Sequence, residues 1–459
     1  MLEKLIATDL REAIAQNDLD GVTAFFSNNH PVDSAEILEA LEPEDALEIL
    51  NTLDAGLKAD IFSEFSTAFQ TEMAELLDKA SLAKLAADLE PDDRVDLIKT
   101  LPEQDVMDIL ASLPHADRMD IQHLASYEEG TAGSIMTSDY IALKADLSVS
   151  AAMAQIRKEA PKKESIYNNY IVDGDNKLIG KATLRDLILA EPDTKLADIM
   201  DDQVYSVESG QSREEAVYKL SHYDLIDLPV LNDAGVMVGI ITHDDAMDAL
   251  EDEHTEDMER FMAISGKKED KTYLQTSALS HFRYRVFWLV ALAAFGLVSG
   301  AVLQSFEHTL STLMILAFYM PMLADTGGNT GSQSATVIIR ALSLKEIGTK
   351  DALKVISKEL AVSLMLGAIL GILAFARVMF FTRAGTVPES LSMINIAISI
   401  AASLSLQVIS STVIGAALPL LAHKLRLDPA LVASPMLTTI VDITGLLIYF
   451  NVARLLLRI

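Results

Sequence analysis

The chain of 459 residues contains no cysteine, which excludes disulfides, zinc–thiolate sites and thiol catalysis. None of its nine histidines stands in a His-Glu-x-x-His arrangement, so zinc-dependent membrane proteolysis is excluded as well. Basic residues are scarce: 36 Lys and Arg face 67 Asp and Glu, a formal charge of -31. So acidic a surface disfavours nucleic acid and anionic lipid as partners and concentrates cations. The stretch Met1 to Arg11 alternates charged and apolar residues without a continuous apolar core. No cleavable secretory signal is expected there, and the acidic portion should stay in the cytosol.

What is present divides sharply. Residues 281–459 carry 13 basic and 8 acidic side chains, whereas residues 1–280 carry 23 and 59. A large acidic half therefore joins a hydrophobic half near His281. Apolar runs at 286–306, 312–342, 359–381, 391–422 and 431–457 each reach the roughly 20 residues that a spanning helix needs. Five spans place the two termini on opposite sides. With the acidic half inside, the inner flanks carry Lys267, Lys268, Lys271, Arg283, Arg285, Arg340, Lys345, Lys350, Lys354, Lys358, Lys424 and Arg426, against Arg377, Arg383, Arg454 and Arg458 outside. That asymmetry predicts a multi-pass protein of a bacterial cytoplasmic (inner) membrane, with a cytosolic N-terminus and an external C-terminus.

Two features interrupt the apolar runs. Asp442 lies inside the fifth, and an ionisable group at bilayer depth points to an ion or substrate path. The second run carries Pro321, Asp325, Gly327, Gly328, Asn329, Gly331 and Gln333. Proline with clustered glycine predicts a kink or local unwinding beside a polar cavity. The plainer alternative is close helix packing, for which small residues also serve.

In the cytosolic half, Leu41-Glu-Pro43-Glu-Asp, Leu89-Glu-Pro91-Asp-Asp, Leu101-Pro102-Glu-Gln-Asp and Leu113-Pro114-His-Ala-Asp share a pattern whose last three copies are twelve residues apart. Proline suits the first helical position and acids the first turn, so residues 1–130 read as an all-α superhelical array of short helices. Over 131–250 a longer repeat appears: Ile135-Met136-Thr137 through Gly180-Lys-Ala-Thr183-Leu-Arg-Asp186 resembles Ile199-Met200-Asp201 through Gly239-Ile-Ile-Thr242-His-Asp-Asp245. Each copy reads helix, strand, strand, helix, and resembles one of a tandem pair of α+β CBS domains. Thr183, Asp186, Thr242 and Asp245 are the residue types that hold the ribose and phosphate of an adenine nucleotide such as ATP. The plainer role of each threonine is to cap the following helix. Residues 251–282 form an acidic linking helix, and 283–459 an all-α transmembrane domain of five helices.

Taken together, the segment 321–333 followed by Ile339-Arg340-Ala341-Leu342, the run Asp428-Pro-Ala-Leu-Val with Pro435, Asp442-Ile-Thr-Gly-Leu-Leu-Ile-Tyr449, the CBS pair and the acidic N-terminal helices resemble the MgtE magnesium channels over essentially the whole chain. The resemblance implies a homodimer in membrane lipid, not an enzyme, whose second and fifth spans line a cation pore. It further implies a cytosolic assembly that closes when internal Mg2+ is high. It assigns Asp442 to the pore, and Asp92, Asp96, Glu215, Asp224, Asp245 and Asp248 to regulatory metal sites, with Glu214 an alternative to Glu215. Glu256 and Asp257 fall on the linking "plug" helix. Asp325, Gly328, Asn329 and Gly445 would line the path, with backbone carbonyls near the last three holding retained waters. Magnesium gives up water reluctantly and is held by few carboxylates, which suits one Asp442 per protomer. The alternatives are a broader Mg/Mn/Co transporter and, in another class, an intramembrane aspartyl protease built on Asp325-Thr-Gly and Asp442.

Overall fold

The structure, a computed structural model, describes residues 10, 19–264, 273, 276–382, 391–429 and 434–458. Lys267, Lys268, Lys271 and Arg383, on which part of the orientation rests, lie outside the described residues, as do residues 430–433 and the side chain of Pro435. The chain falls into two compact units that divide near Glu253.

Among the described residues the first unit opens with nine short helices: α1 (Leu19–Asn28), α2 (Pro31–Glu39), α3 (Pro43–Leu50), α4 (Ala55–Ser63), α5 (Thr67–Leu76), α6 (Lys79–Asp88), α7 (Pro91–Thr100), α8 (Glu103–Ser112) and α9 (His115–Leu124). Pro31, Pro43 and Pro91 occupy the first turn of their helices, where a missing N–H costs nothing. Pro102 and Pro114 are instead the caps of α8 and α9, one position earlier. From α2 onward each helix packs on the one two further along, the arrangement of a wound array. Arginine closes the helix ends: Arg94 Nε donates to Ala86 O (2.6 Å) and Nη2 to Leu89 O (2.7 Å) at the end of α6, and Arg118 Nη2 donates to Leu113 O (3.2 Å) after α8. Those carbonyls have no partner within the helix, so the Arg94 guanidinium satisfies carbonyl and donor together, whereas part-buried Arg118 leaves its Nε without a hydrogen bond among the described residues.

The tandem repeat follows as β1 (Ala142–Lys144), α10 (Val149–Glu159), β2 (Asn168–Val172), β3 (Leu178–Thr183) and α11 (Leu184–Leu189), then β4 (Val207–Glu208), α12 (Arg213–His222), β5 (Asp227–Leu231), β6 (Met237–Thr242) and α13 (His243–Phe261). Each copy forms a three-stranded sheet, parallel between its first two strands and antiparallel between the last two, with a bulge at the same place. The copies interlock: Thr137 pairs with Ile240 and Asp201 with Lys181. Glycine makes this possible, because a β-carbon at Gly239 would lie 2.7 Å from Thr137 O and one at Gly180 3.0 Å from Asp201 O. One hydrophobic core runs from Phe26, Ile49, Phe62 and Leu97 of the helical array into Met136, Leu228, Ile241 and Ala246 of the repeat.

The second unit is helical: α14 (Ala278–Ser305), α15 (Glu307–Thr312), α16 (Met320–Ser343), α17 (Ala352–Phe381), α18 (Met393–Lys424) and α19 (Ser434–Leu457). Among the described residues, α14, α17, α18 and α19 are long and apolar enough to cross a membrane. The 24 residues of α16 extend about 36 Å, also a crossing length, with a more polar composition. Among the described residues, five long helices thus stand where five runs were read, four of them by length and apolar composition and α16 by length.

The expected break in the second of them is absent. From Met320 to Ser343 α16 is continuous, because Pro321 sits in its first turn and removes no helix hydrogen bond. The glycines serve close approach instead: Gly331 lies against Ser411 O of α18, and Gly415 of α18 against the backbone of Gly331. Irregular backbone lies just upstream, where Leu313 (φ -135°, ψ 70°) leads into a 3-10 turn over Met314–Tyr319.

Candidate functional site

In the first unit, acids gather where α7 begins. Glu90 precedes Pro91, and Asp92 and Asp93 form the first turn, where the backbone requires a helix start. Glu164 arrives from the segment before β2, and Asp245 from the first turn of α13, where Thr242 Oγ1 donates to its carboxylate (2.6 Å). Carboxylate oxygens of Glu90, Asp92 and Glu164 lie within 4.8 Å of one another. Asp92 Oδ1 and Glu164 Oε2 are buried and have no hydrogen-bond partner among the described residues.

Desolvation, followed by the charge of Asp92, pushes Glu164 up to about 9, Asp93 to about 8 and Glu90, open on one side, to about 7. Asp92 and Asp245 are raised as well, first by burial; Asp96 then adds repulsion at Asp92, and Asp92 does so at Asp245. Nearby basic side chains point elsewhere: Lys163 pairs with Asp139 (2.9 Å) and Arg94 with carbonyls. Crowded carboxylates with orphaned oxygens are a donor set for a hard dication, which replaces repulsion by attraction. The residues fit Mg2+ by donor chemistry.

Of the regulatory positions named from sequence, the structure brings Asp92 and Asp245 into this cluster. Asp96 is exposed and pairs with Lys99 (2.9 Å), and Asp248 acts on Glu64. Glu215 lies in the first turn of α12, with its N–H donating to Ser212 Oγ (3.3 Å), and Asp224 is exposed with a left-handed φ of 50°. Further along α13, Glu256 and Asp257 share a helix with Arg260, which bonds Glu256 and reaches Asp428 (2.8 Å). Glu90, Asp93 and Glu164 are additions. The Glu-Pro-Asp-Asp pattern held the first two in plain view; Glu164 has no local signal and enters only through tertiary packing.

At the nucleotide-type positions both threonines cap helices. Asp186 N donates to Thr183 Oγ1 (3.2 Å) and Thr183 N donates back to Asp186 Oδ2 (3.0 Å), a capping box, to which Thr183 Oγ1 adds a bond to Asp186 Oδ2 (2.5 Å). Thr242 and Asp245 repeat the hydroxyl contact, and Asp245 is shared with the acid cluster.

In the helical unit, Asp442 is half-buried in the first half of α19. It borders a cavity of about 10 Å³ that is lined also by Met320, Leu323 and Ala324 of α16 and by Gly445, Leu446 and Tyr449. Asp325 and Asn329, one turn apart on α16, are exposed on the protomer surface. Gly328, against Thr438, and Gly445, against Gln407, are buried between helices. Since α16 and α19 are unbroken, the carbonyls expected to be free near Gly328, Asn329 and Gly445 belong to the helix ladders.

The same order of parts recurs in known proteins. Residues 320–452 match the MgtE divalent cation transporter family, residues 29–130 the MgtE intracellular N domain, and 132–193 and 196–252 CBS domains. The magnesium transporter MgtE of Thermus thermophilus is 40% identical over 338 residues, covering 74% of this chain and 72% of that protein. The chain belongs to the MgtE family. A second MgtE, the magnesium transporter of Bacillus subtilis, is 36% identical over 72% of this chain and 71% of its own length. Among solved structures, the cytosolic domain of the Mg2+ channel MgtE in complex with ATP is 31% identical, with a TM-score of 0.50, over 53% of this chain and 99% of that one. The soluble part of a magnesium transporter is 28% identical with a TM-score of 0.52 and covers 55% of this chain and 99% of its own. MgtE relatives are thus named as transporters, and the all-α array, the CBS pair and the helical membrane domain follow the family's order.

Proposed function

We propose that this protein carries Mg2+ across a cytoplasmic membrane as a homodimer and closes when cytosolic Mg2+ fills the acid cluster at Glu90, Asp92, Glu164 and Asp245. The observation that carries the reading is the gathering of Glu90, Asp92 and Glu164 carboxylates within 4.8 Å, with Asp92 Oδ1 and Glu164 Oε2 each buried and without a hydrogen bond among the described residues. Such an arrangement disfavours its own packing at neutral pH until a dication binds. Each ion bound there favours the packed state by its differential affinity, and several small gains multiply. In the membrane unit, Asp442 from each of two protomers attracts the hydrated ion, while Asp325 and Asn329 line its approach. Contact through retained water lets the ion leave again. Two copies accord with α14, a span with no buried side chain in the protomer, which offers its surface to lipid or to a second chain. The basic residues flanking the spans favour a cytosolic acidic unit and an external C-terminus. Adenine nucleotide is assigned to the CBS pair through Thr183, Asp186 and Thr242, on the likeness to the ATP-bound relative.

The test is Mg2+ uptake by the purified protein in proteoliposomes. Asp442→Asn should abolish it while leaving the amount of inserted protein unchanged. Wild-type uptake by that variant refutes the pore assignment. Competition by Mn2+ and Co2+ at equal concentration separates a Mg2+-selective path from a broader divalent one.

A further inference from the structure

Gln407, in the middle of α18, is fully buried. Its Nε2 donates to Val441 O (3.0 Å), the carbonyl immediately before Asp442, which also accepts from Thr444 Oγ1 (3.0 Å). Only the NH2 end of the amide can face a carbonyl, so its orientation is fixed. Oε1 is then left buried without a hydrogen-bond partner among the described residues. The side chain occupies room that two other helices vacate: a β-carbon at Gly327 of α16 or at Gly445 of α19 would overlap the Gln407 amide nitrogen. Below it on the same face of α18, Ser411 and Gly415 meet Gly331 in a seam of small residues. Gln407 is thus a long polar side chain in a seam otherwise built for backbone contact. Methionine would fill similar volume without burying an orphaned carbonyl, so packing alone does not account for an amide here.

We propose that Gln407 is a positioning residue for Asp442: wedged between Gly327 and Gly445 and bonded to Val441 O, it sets the rotation of α19 and so the direction of the Asp442 carboxylate. Gly445 lies one turn beyond Val441, so wedge and hydrogen bond grip the same turn that carries Asp442. A carboxylate stands roughly 6 Å from its helix axis, so a rotation of about 20° displaces it by about 2 Å. Metal affinity responds to such second-layer contacts by roughly 10- to 100-fold. The inference rests on the assignment of Asp442 to the ion path.

The experiment uses the full-length protein in proteoliposomes with a Mg2+ indicator. Gln407→Met keeps the volume and removes the donor; it should raise half-saturating Mg2+ by roughly tenfold at unchanged protein content. Gly445→Ala, which drives a methyl group into the amide, should do the same, and combining it with Gln407→Met should add little, because both disturb one contact. Because the chain lacks cysteine, Ala324→Cys with Leu446→Cys, both lining the small cavity, reports the α16–α19 alignment by disulfide cross-linking rate, independently of transport. Gln407→Met should slow that rate severalfold. Wild-type half-saturation and cross-linking in Gln407→Met, or full additivity of the Gln407→Met and Gly445→Ala defects in the double variant, overturns the proposal. Altered cross-linking together with normal transport by Asp442→Asn sinks the pore assignment and leaves the wedge standing.

Discussion

Replacing Glu164 by glutamine keeps the side chain's shape and removes its charge, which isolates the electrostatic strain of the acid cluster. Glu164 is raised from its ordinary 4.5 to about 9, first by burial and then by Asp92, Asp245 and Glu90. A raised carboxylate contributes stability fully below its ordinary value and loses it as the pH climbs through the folded value. At pH 7 the metal-free protein has forgone about 2.5 pH units of that contribution, at most about 3 kcal/mol, since the burden is shared with Asp92. Glu164→Gln, already neutral, does not forgo it. In EDTA at pH 7 the variant should therefore resist limited proteolysis between the helical array and the CBS pair better than the wild type, by up to roughly 100-fold in rate. At pH 5 the difference should shrink to under about 1 kcal/mol, because the folded carboxyl is then protonated and the pH stands only about half a unit above the ordinary value of 4.5. Adding Mg2+ should reverse the ranking, since the wild type gains an anionic ligand that the amide lacks. Faster cleavage of the variant in EDTA at pH 7, or the same Mg2+ midpoint for both proteins, refutes the reasoning.

Asp245→Asn should likewise raise the Mg2+ concentration needed for protection from proteolysis; an unchanged midpoint would show that this acid is mere surface. Gly239→Ala places a methyl group 2.7 Å from Thr137 O and should cost about 1–3 kcal/mol of first-unit stability by thermal unfolding, whereas Gly174→Ala, with open space around it, should be silent. Thr183→Ala removes the cap of α11, about 1 kcal/mol, and should also abolish ATP binding by calorimetry; intact binding would place the nucleotide elsewhere.

Local rules read most of the architecture directly. Proline and acid at the head of each short helix announced the N-terminal array because both act within one turn, and Gly180 and Gly239 marked equivalent crossings of a repeat that folds twice. What failed was the inference from Pro321 and its glycines to a broken helix. That inference asks whether a residue is a poor helix former, whereas the structure asks where in the helix it sits and what lies opposite. Pro321 in the first turn costs nothing, and Gly327 and Gly331 face α18 closely enough that a larger residue would separate the helices. The same lesson explains the missed residues. Glu90 and Asp93 stood beside Asp92 in the sequence, yet only burial distinguishes an acid that repels its neighbours from one that is solvated, as Asp96 is. Glu164 and Gln407 carry no periodic or motif signal, since each acquires its role from distant segments, Glu164 from Asp92 and Asp245 and Gln407 from Val441, 34 residues away. Both are polar groups buried with an unpaired oxygen, a state that costs free energy unless something offsets it. In the acid cluster the proposed offset is a dication, whose arrival would convert repulsion among carboxylates into cohesion. Within the helices no ion is needed at Gln407, because the offset is the hydrogen bond to the turn that aims Asp442.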